Sequence, residues 1–154
     1  MHMKAPGSFL LFRVDEMRYA LDVTAVARIV LAAEITPLAD APEAILGLIN
    51  IAGEIMPVLD VRRRLGFPSR DMELSDRFIL TRANGMPIAL LVESVEGVVE
   101  LPAHSISTGN RADLWSASAA VGIGGSIVVI QNIDALVSTD VLRHLDKNCG
   151  DAHE

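Results

Sequence analysis

The sequence predicts an all-β protein of two small barrels in tandem, each of about five strands, with short helices between strands and a helix near the C-terminus. Three observations carry that prediction. Apolar residues come in short runs separated by turn signals: Asp15-Glu16 and Asn84-Gly85, then Gly47, Asn50 to Gly53, Gly122 and Gly124-Gly125. The chain repeats itself. The segment 47–67 reads as strand, turn, strand and short capped helix.

The repeat is direct. Residues 9–30 match residues 78–99 without a gap, at an offset of 69. Identical pairs are Phe9/Phe78, Leu11/Leu80, Arg13/Arg82, Met17/Met86, Ala20/Ala89, Leu21/Leu90, Val23/Val92, Val26/Val95 and Val30/Val99, nine of 22 positions. An apolar-rich composition gives about two to four by chance. Further on the offset becomes 72, pairing Gly53/Gly125 and Ile55/Ile127, with Val58/Ile130, Asp60/Asn132 and Val61/Ile133 as similar residues. A copy of about 60 residues buries a limited core alone, so two copies packed together are the expected stable unit. The expected organisation is one domain over 8–146 made of two intertwined barrel subdomains, the first copy about 9–67 and the second about 78–139. A disordered tail is expected at 147–154.

The elements follow in order. Asp40-Ala41-Pro42-Glu43-Ala44-Ile45-Leu46 reads as a short helix with Pro42 in its first turn. Leu48, Ile49 and Ile51 form a strand ending at Gly53, and a second strand runs from Ile55 through Met56, Val58 and Leu59, which implies a hairpin. Pro57 lacks an amide donor and so suits an edge strand or bulge. Asp60 stands as an N-cap before Val61 to Leu65, and Gly66 is placed to stop that helix. Asn132 is a cap of the same kind, so the strand-then-helix ending occurs twice. Ser138 or Thr139 caps a last helix through Leu145, with Val141, Leu142 and Leu145 on one face.

Composition narrows the functional class. The net charge of −7 argues against sequence-independent binding to nucleic acid or to an anionic membrane, since counterion release needs a basic face. Leu114 to Ile133 is an uncharged stretch of 20 residues, but its serines, glycines, Gln131 and Asn132 read as strand-turn-strand, so no membrane insertion is expected. Cys149 is the single cysteine and lies in a polar tail, which excludes a disulfide framework and fits a reducing cytoplasm. The histidines are scattered, so no metal-ligand spacing exists. No nucleophile elbow, phosphate loop or paired-carboxylate pattern is present, and neither an enzyme nor a cofactor is expected. Gly122-Ile123-Gly124-Gly125 precedes a strand, where a phosphate loop needs a helix. Asn50 and Gly53 shape a turn with Ala52 on its surface. Arg62, Arg63 and Arg64 read as a solvated helix face.

With the duplicated barrels and the segment 47–67 in view, the chain resembles the CheW-like family, the bacterial chemotaxis coupling proteins, over about residues 8–145. Family members read Gly-hydrophobic-hydrophobic-Asn-hydrophobic-Arg-Gly and then Pro-hydrophobic-hydrophobic-Asp. Gly47-Leu-Ile-Asn-Ile-Ala-Gly53 and Pro57-Val-Leu-Asp60 follow this at every position but one. The resemblance implies two SH3-like five-stranded barrels and no catalytic activity. It implies as partners the regulatory domain of a CheA-type histidine kinase and the cytoplasmic tip of a methyl-accepting chemoreceptor, at arrays on the inner face of the membrane, with weak self-association in rings. Two positions depart from the pattern. Ala52 replaces an arginine associated with the receptor-facing surface, and Arg28 stands where an acidic residue is common.

The protein-binding residues expected from this resemblance are Val26, Arg28, Asn50, Ala52, Gly53 and Ile88. Val26 and Ile88 have a competing reading as strand core. Two alternatives stand beside the chemotaxis adaptor. One is an adaptor of a chemosensory-like pathway for surface motility or biofilm. The other is a sensor holding a small molecule between the barrels.

Overall fold

The structure is a computed structural model that describes residues 7–101, 117–123 and 125–137. Among these described residues, ten strands and two one-turn helices run in the order β1 (Gly7–Val14), β2 (Met17–Asp22), β3 (Val26–Leu31), β4 (Ile45–Ile51), β5 (Glu54–Asp60), α1 (Val61–Arg64), β6 (Arg77–Ala83), β7 (Met86–Val92), β8 (Ser94–Leu101), β9 (Ala117–Ile123), β10 (Ser126–Gln131) and α2 (Ile133–Leu136). A 3₁₀ turn, Val23–Ala25, leads from β2 into β3. The fold is all-β, as the sequence predicts. The helix expected near the C-terminus and the tail at 147–154 lie outside the described residues.

The strands form two five-stranded sheets, β8-β1-β2-β10-β9 and β3-β6-β7-β5-β4. Replacing each strand by its repeat counterpart, β1 by β6, β2 by β7, β8 by β3, β10 by β5 and β9 by β4, converts one order into the other. Register is kept too: Ile29 faces Ile79 in one sheet, and Val98 faces Leu10 in the other. The barrel-like sheets do not follow the two sequence copies one to one. Each takes three strands from one copy and two from the other, because the chain changes sheet between β2 and β3 and again between β7 and β8.

Burial explains the uninterrupted apolar runs. Phe9 and Leu11 point into the interior of the first barrel with Ala20, Val121, Val128 and Ile130. The intervening Leu10, Phe12 and Val14 point the other way, into a core shared with Leu59, Ile79, Ile88 and Leu90 of the second barrel. Strands buried on both faces lose the polar alternation of a half-exposed sheet. The same division holds in the second barrel, where Phe78, Leu80, Ala89 and Leu91 fill its own interior. The shared core is the larger of these clusters, and it binds the two barrels into one hydrophobic unit.

Local rules set the element ends. Asp60 accepts a hydrogen bond from the Arg62 amide at 3.1 Å and caps α1. Asn132 accepts from Asp134 and Ala135 at 2.9 and 3.2 Å and caps α2. Gly66 then ends α1 with φ of 88°. Three expectations need correction. Residues 40–46 form no helix: Ile45 closes a turn by bonding to the Pro42 carbonyl, then enters β4 and the shared core, where burial outweighs the Pro-at-N1 signal. Pro57 lies in a strand that is second from the edge, and it sits just before the three residues, Val58 to Asp60, that join β5 to β7. Gly47 marks no turn. It lies within β4 at φ 151°, where a Cβ would come 2.1 Å from the Thr36 carbonyl oxygen, because residue 36 pairs with Leu48 across it.

Candidate protein-binding surface

The β4–β5 hairpin is built by its two turn residues. Ile51 pairs with Glu54, leaving Ala52 and Gly53 at φ 51° and 91°, the two left-handed positions of a type I′ turn. Asn50 Oδ1 accepts a hydrogen bond from the Gly53 amide at 2.8 Å and holds the turn. Asn50 and Gly53 therefore shape the tip, and Ala52 presents its exposed side there. Glu54 and Arg82 approach to 3.7 Å beside it, but both are more than half exposed, so the pair adds little stability.

Val26 and Arg28 lie on β3, the opposite edge of the same sheet. Arg28 is exposed and lies across from Leu80, while Val26 is half-buried against the shared core. The structure thus gathers Val26, Arg28, Asn50, Ala52 and Gly53 on the two edges of one barrel. Ile88 does not join them. It is 0% exposed within the shared core, so the reading of this residue as partner-contacting is corrected to packing.

Other residues carry the exposed apolar surface. Ile29 and Leu31 on β3 and Val98 on β8 are exposed. Cross-strand partners share a face, and the partners of Ile29 and Val98 are the core residues Ile79 and Leu10. These aliphatics therefore fringe the junction of the barrels. A second pair, Ile55 at 62% and Ile127 at 66% exposure, stands beside the β4–β5 and β9–β10 turns, one on each barrel. Sequence reasoning passed over all five. For four of them the available signal was the repeat itself, since Ile29/Val98 and Ile55/Ile127 occupy equivalent positions in the two copies, whereas Leu31 is matched by Glu100.

Of the arginines of α1, Arg63 is exposed as a solvated face requires, but Arg62 and Arg64 are not. Arg62 binds Asp15 at 2.8 Å and Glu93, and Arg64 donates to the Leu136 carbonyl at 2.7 Å. Burial pushes the Asp60 carboxyl up from its ordinary range against the lowering effect of the Arg62 and Arg63 amides. The Glu96 carboxyl is held below its ordinary range by the hydrogen bond from Arg18. A crevice lined by residues that include Val14, Arg62, Arg70, Met72 and Glu93 has a volume of about 20 Å³, room for one water. Among the described residues no cluster of His, Cys, Asp or Glu could hold a metal, and no helix is long and apolar enough to cross a membrane.

A family model described as the CheW-like domain matches residues 8–141. This chain belongs to the CheW-like family. Among curated proteins it is similar to the chemotaxis protein CheW of Thermotoga maritima, 26% identical over 130 residues that cover 83% of this chain and 85% of that one. It is likewise similar to the chemotaxis protein CheW of Rhizobium meliloti, 26% identical over 144 residues, 90% and 93% of the two chains. Among solved structures, the scaffolding protein TtCheW from Thermoanaerobacter tengcongensis superposes with a TM-score of 0.81 at 26% identity, covering 88% of this chain and 95% of that one. Membership of this family makes the chain a chemotaxis adaptor of the scaffold type, and the reading as a small-molecule sensor is not favoured.

Proposed function

We propose that this CheW-like protein couples the cytoplasmic tips of methyl-accepting chemoreceptors to a CheA-type histidine kinase in arrays on the inner face of the membrane, and catalyses no reaction itself. The observation that carries the proposal is the set of exposed aliphatics, four of which the repeat doubles as Ile29/Val98 and Ile55/Ile127. Ile29, Leu31 and Val98 fringe the junction, and Ile55 and Ile127 mark one turn on each barrel. A coupling protein needs separate surfaces for separate partners. The junction suits a receptor helix that lays apolar side chains along it, and the hairpin ends suit the barrel ends of the kinase regulatory domain. Weak self-association in rings uses the same ends. Reversible contacts of this size correspond to roughly micromolar affinity.

Ala52 and Arg28 tune partner choice in this reading. Both stand exposed on the edges of the second barrel, where charge sets specificity more than raw affinity. The test is titration calorimetry against the regulatory domain of the kinase from the same genome, then against the receptor tip. Binding to both is expected. Binding to neither at about 100 μM sinks the proposal. Ala52→Arg combined with Arg28→Glu should strengthen binding to a receptor tip of ordinary sequence, and unchanged affinity would remove these positions from the receptor surface.

A further inference from the structure

Each short helix follows the last strand of its sequence copy and reaches that copy's first hairpin turn, which lies on the other barrel. On one side α1 meets the β1–β2 turn. Arg62 Nη2 donates to Asp15 Oδ1 at 2.8 Å, and Nη1 donates to Glu93 Oε2. The same Glu93 oxygen accepts the Asp15 backbone amide at 2.6 Å, and Arg62 Nε donates to the Pro68 carbonyl at 2.6 Å. Arg70 extends the network, with Nε 3.8 Å from Glu93 and Nη2 donating to the buried Asp76 at 2.9 Å. One guanidinium thus joins a helix, a hairpin turn of the other barrel, the β7–β8 crossover and the chain after α1.

On the other side α2 meets the β6–β7 turn, and the chemistry differs. Asp134 occupies the place of Arg62 in the repeat, and Asn84 the place of Asp15. Among the described residues the hydrogen bond found there is the Asn84 amide donating to Asp134 Oδ1 at 3.0 Å, above Leu136, which packs in the shared core with Ala83. Both reporter amides donate to a carboxylate. Among the described residues, only the acceptor of Asp15 is itself pinned by a cation, because Glu93 is shared with Arg62. A guanidinium that donates to two carboxylates at once fixes their relative placement as well as adding attraction, whereas an exposed carboxylate on a one-turn helix can swing away.

We infer that the joint between the barrels is clasped unequally: Arg62 is a positioning residue that holds the α1 side shut, and the barrels part on the α2 side, between Asp134 and the β6–β7 turn. The shared core under both sides keeps the two barrels attached while that margin opens. The two bonds from Arg64 to the Leu136 and Ala135 carbonyls tie α2 to α1, so the opening is a swing about the α1 side. In a scaffold that acts by contact geometry, such a joint lets a partner seated at the junction change the barrel angle in one direction. The inference stands on the joint alone and survives or fails whichever partners are found.

The test is amide hydrogen exchange by NMR on the full chain without partners. The Asn84 amide should exchange roughly tenfold or more faster than the Asp15 amide after correction for intrinsic rates, the scale of one charge-assisted hydrogen bond. Arg62→Gln should bring Asp15 down to the protection of Asn84 while Ile79 and Leu90, in the β6–β7 ladder, keep theirs. Arg62→Lys, which retains charge without the fork, should fall between and serves if the glutamine variant folds poorly. Asp134→Ala should leave Asp15 unchanged. Equal protection of the two amides in the unaltered protein would overturn the inference, and so would loss of protection at both sides together in any of these variants.

Discussion

The hairpin tip offers the sharpest test of how this surface is built. Ala52 sits at φ 51°, a left-handed conformation in which its Cβ crowds the following carbonyl oxygen. That strain is roughly 1–2 kcal/mol for an L-residue. Ala52→Gly relieves it, but glycine adds unfolded-state freedom of about 0.5–1 kcal/mol. The expected net gain is therefore about 0.5–1 kcal/mol, or a Tm rise of roughly 1–4 °C for a chain of this length. Urea unfolding followed by circular dichroism should show a higher midpoint with an unchanged slope, the signature of altered stability without altered compactness. Ala52→Val should move the other way by about 1 kcal/mol or more, because a β-branched side chain is a genuine outlier at positive φ. Ala52→Arg has the same Cβ as alanine and should fall within about 0.5 kcal/mol of the starting protein. This last expectation makes Ala52→Arg a clean probe of binding. Glycine and valine variants of equal stability would show that the turn is not type I′, and the assignment of Ala52 to the exposed tip would fall with it.

Three further predictions rest on other parts of the structure. Gly47→Ala should destabilise by more than about 3 kcal/mol or prevent folding, since its Cβ would meet the Thr36 carbonyl oxygen at 2.1 Å and backbone cannot move aside as a side-chain end can; soluble expression and thermal melting read this. Phe12→Ala in the shared core should lose about 3–5 kcal/mol, and calorimetry should still show one transition because each barrel holds strands of both copies; two resolved transitions would contradict the shared core. Glu96 has its folded pKa below the ordinary value near 4.5, held there chiefly by Arg18, so its contribution is present above that value and lost as pH falls through the folded pKa. The stability gap between the protein and Glu96→Gln, measured by urea unfolding from pH 7 downward, should therefore narrow below about pH 4.5, and a gap that widens there would reverse the assigned direction.

How much was legible in the sequence depended on how local the physics was. The Asp60 and Asn132 caps, the hairpin from Gly47 to Asp60 and the matching strands of the two copies follow from short-range rules, and the structure has them. A repeat reveals which strands are equivalent but not which strands pair, so an intertwined pair of subdomains could be expected but not which strands they exchange. The runs at Phe9–Phe12 and Ile88–Val92 had no alternation because both faces are buried, which left the direction of Ile88 open. Arg62 looked like a surface charge because its carboxylate partners, Asp15 and Glu93, lie 47 and 31 residues away. Residues 40–46 carried a good helix start, yet Ile45 was needed in the shared core.

The exchange of strands bears on how a small adaptor can serve more than one partner. Two barrels connected in series could tilt freely, as domains joined by a modest interface do. Here β2 leads directly into a strand of the second sheet and β7 into a strand of the first, so two covalent crossovers and one apolar core all span the joint. Strain at one barrel must then reach the other through packed side chains that have few alternative arrangements. Ile55 and Ile127 sit on different barrels, while Ile29, Leu31 and Val98 fringe the junction that both share. A partner that gripped the junction would therefore act on the relative placement of the two hairpin ends. Phe12 is fully buried in that core, so replacing it should loosen the link between the ends before it weakens either contact taken alone.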